Sequence, residues 1–69
     1  MKEAVKSSNV DAMDYNEKTE VMTIFYKGGS TYEYSGVKES HKDELKTSPS
    51  FGKALHRLRK HHNWSYKKI

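Results

Sequence analysis

The side chains in this sequence with chemistry to offer gather toward its C-terminal end: His56, His61 and His62, the cations Arg57, Arg59, Lys60, Lys67 and Lys68, and the interleaved rings of Trp64 and Tyr66. Three histidines invite a metal, but on a helix the five-residue step from His56 to His61 turns the two well apart, and no cysteine or nearby carboxylate completes a ligand set. Imidazoles beside lysines could also exchange protons during RNA cleavage, because histidine titrates near neutrality. No Ser-His-Asp, Cys-His or paired-carboxylate arrangement accompanies them, and histidines in a basic helix are far more often solvated phosphate contacts or plain surface. Gly28-Gly29 lacks both the strand-to-helix setting and the following lysine of a phosphate loop. The expectation is a protein that is not an enzyme and holds no metal or other cofactor.

Cations alternating with planar rings suit a different task, the neutralisation of a nucleic-acid backbone combined with base stacking. Residues 1–49 hold seven lysines against nine Asp or Glu, a balance of −2, whereas residues 50–69 hold six Lys or Arg and no acid, a balance of +6; together they give the net charge of +4. Such segregation creates a local positive field that attracts phosphate-rich or acidic partners. The candidate nucleic-acid-binding residues are Lys53, His56, Arg57, Arg59, Lys60, Trp64 and Lys67. Two plainer readings stand beside this one. Arg57, Arg59 and Lys60 also stabilise the end of a helix with no ligand at all, and Trp64 and Tyr66 could fold back on the core as a terminal strand or cap.

Positioning these residues requires a scaffold, and the rest of the chain supplies one. Val10, Ala12, Met13 and Tyr15, followed by Asn16-Glu17-Lys18-Thr19, read as a strand and a turn. Val21–Tyr26 is rich in β-branched and aromatic residues, and Gly28-Gly29 separates it from Thr31–Ser35, which predicts a β-hairpin. Beyond Gly36 the period changes: Val37, His41 and Leu45 recur every fourth residue, predicting a helix that Thr47-Ser48 ends. Ser48-Pro49 then signals a second helix over residues 49–61, with an apolar stripe of Phe51, Ala54, Leu55, Leu58 and His62. Lys53, His56, Arg57, Lys60 and His61 fall off that stripe.

The hairpin loop decides which sheet face is which. With two or four loop residues, Phe25 opposes Tyr32, so Val21, Thr23, Phe25, Tyr32 and Tyr34 share the face that the helices cover. Tyr32 and Tyr34 then serve as core residues more readily than as an open stacking platform. Met22, Ile24 and Tyr26 are left on the other face as an apolar stripe, a candidate partner surface or dimer seam.

Length limits the alternatives. A chain of 69 residues holds one domain and one small core, and a domain of this size buries only about 60% of its unfolded surface. Without cysteine it has no disulfide framework, and its charged start leads into no apolar stretch long enough for a signal peptide or membrane span. A cytoplasmic protein is expected.

In order and spacing, Ser7-Ser8-x-Val10, Tyr15, Phe25 with the glycine turn, Tyr32-Glu33-Tyr34, Val37, Ser50-x-Gly52, His56 and Leu58 resemble the KTSC domain, over about residues 7–66. The resemblance implies a short module of the kind found at the C-terminus of some lysyl-tRNA synthetases and free-standing in bacteria and phages. Lys38, His41 and Leu55 depart from the family's usual proline, larger apolar residue and aromatic. The family has no firmly established activity, and its attachment to a tRNA-handling enzyme suggests RNA binding by analogy. His56, at a position where the family tends to be polar, is expected either to bond the Ser7-Ser8 segment or to bind a partner.

The fold expected is α+β: a three-stranded antiparallel β-meander followed by two helices packed on one face, with a short edge strand near residues 64–66 and a flexible stretch at residues 1–6. The function expected is a non-catalytic module that binds nucleic acid, RNA sooner than DNA. The alternative is a protein-interaction or homodimerisation module, such as a phage or prophage accessory, using Met22, Ile24 and Tyr26.

Overall fold

A computed structural model describes residues 2–69, leaving Met1 outside the described residues. Its elements are β1 (Glu3–Ala4), β2 (Val10–Asn16), β3 (Val21–Tyr26), β4 (Thr31–Ser35), α1 (Glu39–Thr47), α2 (Phe51–His62) and β5 (Ser65–Lys68). All five strands form one antiparallel sheet in the order β1-β2-β3-β4-β5. The expected meander is therefore its centre, and a strand is added at each edge. Glu3 and Ala4, expected to be flexible, pair with Met13 and Ala12. The tail expected at the edge is a full strand, and it pairs with β4.

The hairpin loop contains three residues, Lys27-Gly28-Gly29, between the paired Tyr26 and Ser30, whose amide and carbonyl meet at 2.8 Å. Gly29 sits at φ 93°, a left-handed conformation that costs glycine little and suits the last position of such a loop. An odd loop shifts the register by one residue, and with a side-chain period of two that exchanges faces. Phe25 consequently opposes Thr31, Ile24 opposes Tyr32, and Met22 opposes Tyr34. The expected partner face is thus corrected: Met22 and Ile24 are fully buried beneath the helices, and Tyr26 joins them on the covered side. Val21, Thr23 and Phe25 face outward instead.

A β-bulge between Val10 and Ala12 makes a matching adjustment in β2, bringing Val10 and Met13 to the same covered face although they are three residues apart. Both join one apolar cluster with Met22, Ile24, Leu45, Leu55 and Leu58. Tyr15 pins the sheet to the entrance of α1 by donating its hydroxyl to the Val37 carbonyl at 2.7 Å.

The apolar period of α2 is as expected at Phe51, Ala54, Leu55 and Leu58, all buried, but its ends differ. Ser48 does not cap the helix. Its hydroxyl accepts from the Ser50 amide (3.3 Å) and donates to the Ser50 carbonyl (3.1 Å), so a local turn occupies this stretch and the helix opens after Ser50. At the other end Asn63 adopts the left-handed conformation (φ 54°, ψ 47°), which asparagine tolerates better than most residues. The Trp64 amide bonds back to the Arg59 carbonyl at 3.2 Å, and the chain reverses into β5. His62, expected on the buried stripe, is exposed and stacks on His41 at 3.9 Å between ring centroids.

Ile24→Asp or Met22→Asp should abolish cooperative folding, because each places a charge in the centre of the core. A sizing column and a thermal melt check this, and a folded variant with an altered oligomeric state would restore the uncovered-face reading. Leu58→Ala should cost about 2–5 kcal/mol in urea denaturation.

Stability should also depend on His41. Burial first, and then the charge of stacked His62 and of Lys38, hold its imidazole below the ordinary 6.5, while Glu44 and Glu20 act in the opposite direction. The unfolded chain therefore binds this proton more readily, so the contribution of His41 is complete above about pH 6.5 and is lost as pH falls through the lower folded value. The melting temperature should fall on acidification through this window, and His41→Gln should flatten the fall. An unchanged fall in the variant would assign the effect to other groups.

Candidate functional site

On the helix-covered side of the sheet, the β4–β5 end and α2 diverge to leave an open groove of about 560 Å³. Register places its rings: Tyr34 opposes both Met22 and Tyr66, so Tyr66 shares the tyrosine face although β5 as a strand is exposed. Tyr26, Tyr32 and Tyr66 form the sheet wall, His56 and Arg59 the helix wall, and Asn9 also lines the groove. Tyr26 and Tyr32 meet edge to face at 5.6 Å, Tyr32 and Tyr66 lie tilted at 6.2 Å, and the Arg59 guanidinium stands 5.2 Å from the Tyr66 ring centre.

Beneath this wall the Tyr26 and Tyr34 hydroxyls share a hydrogen bond of 2.7 Å. Burial first, and then this bond, raise the Tyr34 hydroxyl well above its ordinary range, so it stays neutral and brings no negative charge to the groove. Two hydroxyls that share one bond keep one proton between them for a third group.

A second recess, of about 620 Å³, continues past the N-terminal end of α2 and is lined by Lys6, Ser7, Ser50 and Lys53. Asn9, Gly52 and His56 line both recesses. Among the described residues lining either one there is no aspartate or glutamate. Lys6, Lys53, Arg59 and Lys60 also have no carboxylate partner among the described residues.

The residues picked out in the sequence divide accordingly. Lys53, His56 and Arg59 come together along the groove, and Lys60 is exposed on the same helix. Arg57 turns to α1, where its guanidinium meets Glu44 at 3.1 Å. Lys67 lies on the opposite sheet face beside Glu33, at 3.8 Å. Trp64 is 5% exposed and packs on Tyr34 at 6.2 Å, so its ring belongs to the core and is not free to stack on a base. Among the described residues the His56 side chain makes no hydrogen bond, although it borders the recess that Ser7 and Ser8 line. Sequence reasoning weighed Tyr32 as a core residue over a stacking one and named Tyr66 among the rings beside the cations, but did not pick out Asn9, Gly52 or Lys6 as lining residues. The Ser7-Ser8-x-Val10 and Ser50-x-Gly52 motifs were the available signal, since both border the shared recess.

An antiparallel sheet covered on one face by two helices inserted in the chain between its last two strands defines a small α+β domain. The model of the KTSC domain family matches residues 6–62, and the chain belongs to that family. Its fold is also that of a KTSC domain protein from Yersinia pestis, whose crystal structure superposes with a TM-score of 0.91 at 23% identity, covering 100% of this chain and 96% of that one. No curated protein matches the chain. Among the described residues, no helix is long and apolar enough to cross a membrane.

Tyr34→Phe removes one hydroxyl from the shared pair, and should cost about 0.5–1.5 kcal/mol in urea denaturation. A loss as large as that of a core truncation would mean that the pair holds more of the wall than its own contact.

Proposed function

We propose that this KTSC domain is a non-catalytic module that binds single-stranded nucleic acid, RNA in preference to duplex DNA, along the groove between α2 and the tyrosine wall. The observation that carries this reading is the union of exposed aromatic surface with cations that, among the described residues, have no carboxylate partner and share a groove with no acid. Tyr66, 55% exposed, offers a ring face to an unpaired base, and any base has a π-face to offer in return. Paired bases in a duplex do not present that face, which favours single strands. Lys6, Lys53, Arg59 and Lys60 supply the charge that phosphates require. The occurrence of the family at the end of some lysyl-tRNA synthetases supports the same choice by analogy. The alternative, a protein or dimer contact through Met22 and Ile24, loses its surface because both side chains are fully buried.

Lys53→Glu with Arg59→Glu should abolish binding of a short RNA in a fluorescence-anisotropy titration while leaving the melt cooperative. Arg57→Glu should cost less, because that guanidinium is already turned toward Glu44. With three or four phosphates contacted, wild-type affinity should fall roughly 20-fold to 50-fold between about 50 and 200 mM salt. Absence of binding to any short RNA at low salt would refute the proposal.

A further inference from the structure

Gly52 stands where the two recesses join, in the first turn of α2. A methyl group in its place would rest 3.8 Å from Asn9 Nδ2 and 4.0 Å from Ser7 Oγ, both ordinary contacts, and its φ is not in the left-handed region. Neither packing nor backbone conformation therefore demands glycine here, although alanine is the better helix former. What the missing side chain keeps open is the passage between a polar, cationic recess and a tyrosine-lined one.

The two ends of that passage differ in chemistry. At one end Lys6, Lys53 and His56 gather around Ser7, whose Oγ already accepts the amides of Asn9 (3.2 Å) and Val10 (3.4 Å), leaving its O–H to be donated. That end suits an anion rich in acceptor oxygens. At the other end the Tyr66 and Tyr32 rings offer flat apolar surface, and Asn9, Ser30 and the Tyr26–Tyr34 hydroxyl pair offer hydrogen-bonding groups for a planar polar edge. Each recess falls within the range of about 300–1,000 Å³ usual for small-molecule sites. Resting on the single-stranded RNA reading above, we infer that the joined recess seats one nucleoside monophosphate unit of the strand, with its phosphate at Lys6, Lys53 and His56, its base on the tyrosine wall, and Gly52 beneath the sugar.

Backbone-amide NMR titrations with adenosine 5′-monophosphate, adenosine, inorganic phosphate and a short oligoadenylate test this. The monophosphate should shift the amides of Gly52, His56 and Tyr66 more than adenosine or phosphate does at equal concentration. Gly52→Leu should weaken the monophosphate and the oligonucleotide together, by about ten-fold or more, and Gly52→Ala should weaken them less. A melt reports whether Gly52→Leu folds; if it does not, Lys6→Glu with Lys53→Glu takes its place, with the same expected loss. Oligonucleotide binding with no response to the monophosphate, or undiminished in a folded Gly52→Leu protein, would overturn the one-nucleotide seat and leave the RNA reading standing. Equal shifts from phosphate and monophosphate would overturn the base end. A response to the monophosphate with none to the oligonucleotide would assign the seat to free nucleotides and overturn the RNA reading, and no response to either would overturn both.

Discussion

Three residues, Lys27-Gly28-Gly29, separate Tyr26 from Ser30, and the left-handed Gly29 closes the count at an odd number. That parity fixes every side chain of the hairpin. With an odd loop, Met22, Ile24 and Tyr26 align with Tyr32 and Tyr34 on one face, which gives the helices a broad apolar surface to cover. With an even loop the tyrosines would face away from Met22 and Ile24, and each side of the sheet would carry half of the apolar surface. The bulge in β2 makes the same selection from the neighbouring strand by returning Val10 to the covered side. Tyr66 then meets Tyr34 only because β4 already points that way.

Strand and helix identity were legible where local composition and period spoke together. β3 and β4 flank a glycine turn with β-branched and aromatic residues, and α2 repeats its apolar positions at helical spacing. The edge strands were the least legible part of the sheet, β5 expected only as a short strand near residues 64–66 and β1 not at all, for a physical reason. Glu3–Ala4 is too short for a pattern, and the exposed Ser65–Lys68 carries neither alternation nor burial, so both are defined by their partners. The site shared this limit. Charge alone picked out Lys53, His56 and Arg59, whereas the placement of the Tyr32 and Tyr66 rings on one face depended on the loop count and on β5. Trp64 was legible as a ring that either stacks on a ligand or folds back on the core, and its burial follows from the left-handed turn at Asn63.

Composition also overcounts the cations available to a ligand. Arg57 and Lys67 contribute to the +6 balance of residues 50–69, yet each faces a carboxylate. Exposed pairs of this kind add little stability, but they locally cancel the field of the residues involved. Among the described residues Lys6, Lys53 and Arg59 line the groove and its recess with no acid beside them, while Glu3, Asp14 and Glu17 line a separate hollow beside β2 together with Lys18 and Lys42. The acid-free surface is the one that carries the exposed Tyr66 ring.

The sheet wall of the groove and the last strand of the sheet are partly the same object. Tyr66 lies in β5, an edge strand that pairs with β4 and is anchored by Trp64 just before it. Edge strands of this kind open more readily than the centre of a sheet. Any occupant that touches Tyr66 and α2 at once would bind the closed form and not the frayed one, and linkage would then make it a clasp on the C-terminal strand. Occupancy would be felt in slower exchange along the whole β4–β5 ladder, so the binding site and an edge of the sheet would regulate each other.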